Sequence, residues 1–151
     1  MLIKIDDLTS GDVVRLLQEH MKDMLATSPP ESVHALDVGE LKASHITFFS
    51  GWEQGLLLGC IAIKMLTSQH AEIKSMRTVT NARNKGVGSA LLEHVIMFAR
   101  EQGYQTLSLE TGSMAFFKPA RELYKKYGFE YCQPFADYRL DPNSRFMSRT
   151  V

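Results

Sequence analysis

Residues 76–89 read MRTVTNARNKGVGS. A β-rich run ends near Val79 and passes through a basic turn into a segment whose apolar residues keep helical spacing as far as Ala99. The start of a helix presents unpaired N–H groups and a partial positive charge, which together suit a phosphate. Glycines at positions 86 and 88 let a ligand approach the backbone closely. The stretch therefore predicts a phosphate-binding turn between a strand and a helix.

Other phosphate motifs fit this turn less well. A dinucleotide-binding fingerprint needs Gly or Ala at position 91, which is Leu91. The G-x-x-x-x-G-K-[ST] motif of nucleoside-triphosphate loops is absent. One alternative remains open, in which the turn is an ordinary solvated connection and Arg83 and Lys85 serve only solubility.

Composition and charge exclude several classes of protein. The 151 residues are 44% apolar and 23% charged, and they predict a single globular domain over residues 1–151. Lys plus Arg equals Asp plus Glu at 17 each, so no global field favours nucleic acid or an anionic membrane. The acidic N-terminus does not resemble a signal peptide, which predicts a cytoplasmic protein. The five histidines lack metal-ligand spacing, and Cys60 and Cys132 are expected to be reduced.

The order of predicted elements indicates an α/β protein with one mixed sheet flanked by helices. Strands are predicted at residues 2–5, 45–52, 56–65, 71–79, 104–110, 129–134 and 146–151. Helices are predicted from Thr9 or Ser10 to the break at residues 28–30, over residues 37–43, from Gly86 to Gly103, and over about residues 116–127. The first helix has Val13, Leu16, Leu17, Met21, Met24 and Leu25 at apolar positions.

Two motifs together resemble one enzyme family. Residues 83–88 match R-x-x-G-x-G after a strand and before an amphipathic helix, and residues 123–129, LYKKYGF, match L-Y-x-x-x-G-F. Both are similar to motifs of the GNAT superfamily of N-acetyltransferases, in the family's order, and the chain looks like a bacterial branch whose substrates are mostly unassigned. The resemblance implies the GNAT acyl-CoA N-acyltransferase fold and acetyl-CoA as cosubstrate, with no metal.

In this family the cosubstrate lies in a gap between two neighbouring parallel strands. The resemblance implies that backbone groups of residues 76–79 pair with the pantetheine arm, while residues 107–111 form the other wall. The pyrophosphate would rest on N–H groups of residues 84–89 beside Arg83. The implied cofactor-binding residues are Met76, Arg77, Thr78, Val79, Arg83, Asn84, Lys85, Gly86, Val87, Gly88 and Ser89.

The chemistry requires deprotonation of an amine, polarisation of the thioester carbonyl and protonation of the leaving thiolate. The resemblance implies Tyr124 as general acid and an N–H group of residues 77–79 as the carbonyl partner. Glu72 and Glu110 both stand where members of the family carry a general base, and the buried strand leading to Glu110 slightly favours that residue. Water in place of a dedicated base, and a structural ion pair for either carboxylate, remain open.

The sequence departs from the family's pattern at Phe117, where many members have an asparagine that binds pantetheine. The resemblance implies transfer of acetyl to a primary amine of a small molecule or peptide, by direct attack in a ternary complex. Residues 21–37 and 134–144 are expected to bind the acceptor, and their acids favour a cationic amine. A homodimer is expected from family habit alone. The alternatives are a non-catalytic acyl-CoA-binding or regulatory domain, and an interaction module that uses the sheet edge.

Overall fold

The computed structural model describes residues 1–151. The strands are β1 (Leu2–Ile5), β2 (Ile46–Glu53), β3 (Leu56–Met65), β4 (His70–Thr78), β5 (Thr106–Gly112), β6 (Glu130–Tyr131) and β7 (Ser144–Thr150). The helices are α1 (Gly11–Thr27), α2 (Val38–Leu41), α3 (Val87–Glu101) and α4 (Lys118–Lys126). None of these helices is long and apolar enough to cross a membrane.

All seven strands form one mixed sheet, as the sequence predicted. Their order is β1-β2-β3-β4-β5-β7-β6, and β4 and β5 are the parallel pair in an otherwise antiparallel sheet. The β2–β3 hairpin turns at Gln54 and Gly55, whose φ angles of 51° and 76° both match a type I′ turn. The parallel pair is joined by a crossover through α3, which places a helix start beside the end of β4.

The sheet has a separate apolar layer on each face. On one face, α3 and α4 contribute Leu91, Val95 and Tyr124 to a core that also contains Ile73 of β4. On the other face, α1 and α2 pack over β2 and β3 in a second, smaller core around Val13. Because β4 lies between these layers, alternate side chains of this strand reach opposite faces of the sheet.

Some predicted bounds and one predicted core position differ from the structure. The strand predicted at residues 129–134 is only Glu130–Tyr131, and Phe129 before it packs in the core. Helix α4 begins at Lys118 after a 3₁₀ turn, Ala115–Phe117. Leu25, expected on the apolar face of α1, is 51% exposed.

Candidate active site

A gap opens where β4 and β5 stop pairing. The two strands are in register only from His70 opposite Thr106 to Ile73 opposite Leu109. Directly beyond this point β4 carries a bulge, seen as a register shift against β3, and Ser75 there has a φ angle of 53°. A bulge bends its strand and ends the regular pairing. The strand ends therefore separate from Lys74 and Glu110 onward.

The gap leads into a cavity of about 570 Å³. Its walls come from α1 and the loop after it, from β4 and its following turn, from the end of β5, and from α4. The residues that line it include His20, Lys74, Ser75, Met76, Arg77, Thr78, Gly86, Val87, Gly88, Ser89, Glu110, Gly112, Phe117 and Tyr124. One cavity thus joins the predicted phosphate turn to the predicted catalytic side chains.

The start of α3 has the backbone groups expected of an anion site. The first helical hydrogen bond is donated by Ala90 N–H to Gly86 O, so the N–H groups of residues 87–89 have no backbone acceptor. Gly86 has a φ angle of 81°, a conformation that a residue with a Cβ adopts only under strain. A Cβ on Gly88 would lie 3.1 Å from Leu123 Cδ2, so glycine also permits α4 to pack here.

The edge of β4 differs in detail from the expected pattern. Val79 N–H donates to Leu58 O of β3 at 2.8 Å, and Val79 does not line the cavity. Backbone groups alternate sides along an antiparallel pair, so those of Arg77 also point toward β3, while those of Thr78 point into the gap. The Val79 N–H is therefore not free to pair with the pantetheine arm, and within residues 77–79 the Thr78 N–H is the candidate donor.

Nine of the eleven expected cofactor-binding residues line the cavity, and the two outside it are Val79 and Lys85. Lys85 is exposed on the outside of the turn. Arg83 and Asn84 do line the cavity, and Asn84 has a positive φ angle of 63°. The turn therefore presents Arg83 as its cation toward the cavity.

Tyr124 of α4 stands on the wall opposite β4. Its side chain is 6% exposed, and its hydroxyl lies 3.9 Å from Met76 Sδ, a weak acceptor. Burial, with a smaller contribution from the charge of Glu110, raises the pKa of Tyr124 above its usual range. The phenol is therefore protonated near neutral pH and has no strong acceptor within the chain.

Glu110 lies where the gap begins and lines the cavity. Burial raises its pKa to about 7, although a 2.8 Å hydrogen bond donated by Ser144 Oγ to Glu110 Oε2 acts in the opposite direction. Ser144 comes from β7, whose residue Phe146 pairs with Glu110. A carboxyl group in this environment exchanges its proton near neutral pH.

Glu72, the other candidate base, has a different environment. It is 2% exposed, does not line the cavity, and accepts a 2.6 Å hydrogen bond from the Tyr138 hydroxyl. Lys74 Nζ lies 3.5 Å from Glu72 Oε2 and donates to His34 O and to the Tyr138 hydroxyl oxygen. Glu72 is thus part of a buried polar cluster that ties β4 to the loops around residues 34 and 138.

This cluster was not predicted, although the sequence contains a signal for it. Glu72 and Lys74 are two positions apart on a strand, so their side chains share one face. The half-buried partner Tyr138 is 66 positions from Glu72. Ser75 was not predicted at the site, and Arg77 was expected there only through its backbone groups.

A family model described as the acetyltransferase (GNAT) family matches residues 13–129. The chain belongs to the GNAT family. It is similar to two bacterial proteins described as uncharacterized N-acetyltransferases. These are YsnE of Bacillus subtilis strain 168, 55% identical over 100% of both chains, and YedL of Escherichia coli K12, 50% identical over 99% of this chain and 94% of that protein. The chain is thus a GNAT N-acetyltransferase of unassigned substrate.

Solved structures share the fold. An acetyltransferase from Streptococcus agalactiae aligns with a TM-score of 0.77 at 19% identity, covering 99% of this chain and 98% of that one. A GNAT family acetyltransferase from Elizabethkingia anophelis, solved with acetyl-CoA bound, aligns with a TM-score of 0.69 at 17% identity, over 99% and 97% of the two chains. The GNAT fold expected from the two sequence motifs is confirmed.

The structure also explains the departure of this GNAT chain at Phe117. The Phe117 side chain is 8% exposed and packs over Gly112 at the end of β5. A Cβ built on Gly112 would overlap the Phe117 ring. The aromatic ring therefore fills space in the cavity wall and offers no hydrogen bond there.

We expect Gly112→Ala to destabilise the protein by about 1–3 kcal/mol, since an added methyl group in a packed wall forces neighbouring atoms to shift. The double variant Gly112→Ala with Phe117→Leu should recover part of that loss. Urea unfolding of the four proteins in this cycle measures the coupling. Strictly additive effects of the two changes would contradict the contact.

Proposed function

We propose that this GNAT enzyme transfers the acetyl group of acetyl-CoA to a primary amine of a small molecule or peptide, by direct attack in a ternary complex. One observation carries the proposal. Glu110 and Tyr124 line the same cavity as the unpaired N–H groups at the start of α3. Both side chains exchange protons, and the helix start suits the pyrophosphate of the cosubstrate.

The residues present fit acetyl-CoA. The N–H groups of residues 87–89 and the Arg83 side chain would hold the pyrophosphate, and the absence of a Cβ at Gly86 and Gly88 leaves the backbone accessible. Thr78 would pair with the pantetheine arm, since its backbone groups face the gap. Acetyl-CoA supplies the activated acetyl group as a thioester.

Glu110 accepts a proton from the attacking amine, directly or through water. As the nitrogen bonds to the acetyl carbon, the carbon–sulfur bond breaks, and Tyr124 donates its phenolic proton to the leaving sulfur. The Thr78 N–H is the candidate donor to the thioester oxygen. Glu110 gains one proton and Tyr124 loses one, so the number of protons on the enzyme is unchanged. Proton exchange with solvent then restores both side chains.

Direct transfer is supported by the positions of the two cysteines. Neither Cys60 nor Cys132 lines the cavity. Burial raises the pKa of the Cys60 thiol to about 12, so this thiol remains protonated and unreactive. No thiol is therefore in place to take up the acetyl group.

The pH dependence of turnover tests the role of Glu110. We expect kcat/KM for the best amine of a screened panel to rise through about pH 7 as Glu110 loses its proton, and this limb to disappear in Glu110→Gln. Thiol release from acetyl-CoA measures the rate. Glu72→Gln is the matched control, because it should lower stability and keep the limb. Retention of the limb in Glu110→Gln would contradict the assignment.

The same carboxyl group should influence stability with a defined sign. Its folded pKa of about 7 lies above the reference value of 4.5, so the native state binds more protons between these values and loses stability as pH rises through them. Glu110→Gln should therefore raise stability at pH 8, by up to about 3 kcal/mol, and change it little at pH 4.5. Thermal unfolding at both pH values measures the difference, and an equal effect at both would contradict the raised pKa.

A further inference from the structure

Three buried side-chain polar atoms of this protein lack a hydrogen-bond partner. They are Arg77 Nε, His20 Nδ1 and Ser75 Oγ. In a chain of 151 residues, all three of these residues line the cavity described above. A buried polar group without a hydrogen-bond partner destabilises the fold, so such groups are rare, and their concentration at one cavity points to a ligand that supplies the missing partners.

Arg77 is the charged member of this group. Its side chain extends to the α1 side of the sheet, where Nη2 lies 2.7 Å from Asp23 Oδ2, and the residue is 8% exposed. A guanidinium has five N–H donors and no acceptor, so a single ion pair leaves most of its capacity unused. A ligand that satisfies Arg77 must bring acceptor atoms.

The neighbouring cation is different. Lys74 Nζ has three donors and three acceptors around it: the Glu72 carboxylate at 3.5 Å, His34 O at 2.9 Å and the Tyr138 hydroxyl at 3.0 Å. Lys74 thus has two hydrogen bonds and an ion pair within the chain. Of the two buried cations in the cavity wall, Arg77 is the one with a buried N–H group that has no partner.

The acids expected to attract a cationic acceptor do not line the cavity. Asp23 is paired with Arg77, Asp141 accepts a 2.6 Å hydrogen bond from Ser32 Oγ, and Glu31 and Asp137 are exposed. Glu110 is the one carboxylate in the cavity wall. The cavity wall thus contains one acid, Glu110, the proposed base for the amine. It also contains the unpaired polar groups of Arg77, Ser75 and His20.

We propose that Arg77, with Ser75 and His20, binds a carboxylate of the acceptor, so that the acceptor is an amine carrying a carboxylate, such as an amino acid. The proposal rests on the proposed function and names its substrate class. The guanidinium forms charge-assisted hydrogen bonds with the carboxylate, Ser75 donates its hydroxyl proton, and the neutral imidazole of His20 donates from Nδ1. The amine at the other end of the molecule remains free to approach Glu110.

Matched pairs of acceptors test the proposal. Amino acids with an increasing separation of amine and carboxylate, from α-amino acids to 6-aminohexanoate, are compared with their carboxamides, and spermidine serves as a cationic amine. Thiol release from acetyl-CoA gives kcat and KM, and calorimetric titration into the protein saturated with CoA gives binding without turnover. Because an α-carboxamide lowers the pKa of the amine, each acid-to-amide ratio is compared between wild type and Arg77→Gln.

In at least one pair, we expect kcat/KM for the acid to exceed kcat/KM for its amide by about ten- to a hundredfold. This is the range that the loss of charge-assisted hydrogen bonds to a carboxylate predicts. Arg77→Gln should bring the ratio near one, mainly through KM, without weakening acetyl-CoA binding. Arg77→Lys should keep part of the preference for the acid over the amide, because lysine keeps the positive charge. Ser75→Ala, which removes an unpaired hydroxyl and so should fold normally, should lower the ratio severalfold.

Equal use of acids and amides by the wild type would overturn the proposal, as would transfer to spermidine alone. A loss of acetyl-CoA affinity in Arg77→Gln would assign Arg77 to the cosubstrate instead and also overturn it. If no amine is acetylated, the proposed function fails, and the titration still decides the anion site. Tighter binding of acids than amides then supports this site, and equal or absent binding of both overturns it.

Discussion

Gly86→Glu is expected to lower the affinity for acetyl-CoA by at least about a hundredfold. The new carboxylate would stand at the start of α3, where the unpaired N–H groups of residues 87–89 are placed for the pyrophosphate. At 4 Å, two like charges near a protein surface repel by about 4 kcal/mol, and this energy corresponds to a loss of affinity of more than about a hundredfold. Isothermal titration with acetyl-CoA measures the change.

Gly103→Glu provides a matched control for this variant. Gly103 follows the other end of α3 and has a φ angle of 85°, and a Cβ added there, as at Gly86, would meet no atom within 4 Å. Both variants therefore carry similar backbone strain, of about 1 kcal/mol, and the same added charge. Only Gly86→Glu should lower the affinity for acetyl-CoA. Equal affinities in the two variants would show that the turn does not bind the pyrophosphate.

Tyr124→Phe is expected to lower kcat by about a hundredfold to a thousandfold, the usual contribution of a positioned general acid. Acetyl-CoA affinity should change little, because the variant keeps the ring and removes only the proton donor. Stability should also change little, since the hydroxyl has only the 3.9 Å contact with Met76 Sδ to lose. Steady-state thiol release and titration with acetyl-CoA measure the two quantities.

Tyr127→Phe is the control for this change. Tyr127 follows α4 directly, and its hydroxyl donates a 2.6 Å hydrogen bond to Glu93 Oε1 outside the cavity. The loss of an exposed hydroxyl there should leave turnover within about twofold of wild type. If Tyr124→Phe behaved in the same way, Tyr124 would be a packing residue and the leaving sulfur would take its proton from water.

The parts of the fold and site that were predicted correctly are local in sequence. The bounds of β1 and the turn of the β2–β3 hairpin follow from alternation and from Gln54-Gly55. The glycine-rich turn and the helix after it lie within one stretch, 76–101, so their geometry follows from neighbouring residues. Tyr124 and Glu110, for which the resemblance to the GNAT family implied catalytic roles, both line the cavity, and the roles themselves stay predictions.

The different environments of the two candidate bases arise only in the tertiary structure. Glu72 and Glu110 are both strand carboxylates, and in the sequence only the buried strand leading to Glu110 separates them, in favour of Glu110 and only slightly. Packing buries Glu72 against Tyr138 and Lys74, whereas Glu110 stands at the gap beside Ser144. The partners Tyr138 and Ser144 come from 66 and 34 positions away, and only the folded chain brings them into contact.

By itself, the sequence determined the family, the order of the elements and the position of the glycine-rich turn before α3, because these depend on short motifs and on periodicity. The tertiary structure alone decided which strand groups face the gap, through the bulge at Ser75 and the bond from Val79 to Leu58. It also decided that Arg77 has unused donors in the cavity wall. Burial and hydrogen-bond completion depend on residues that are distant along the chain, and their consequences for charge and protonation arise only when those residues pack together.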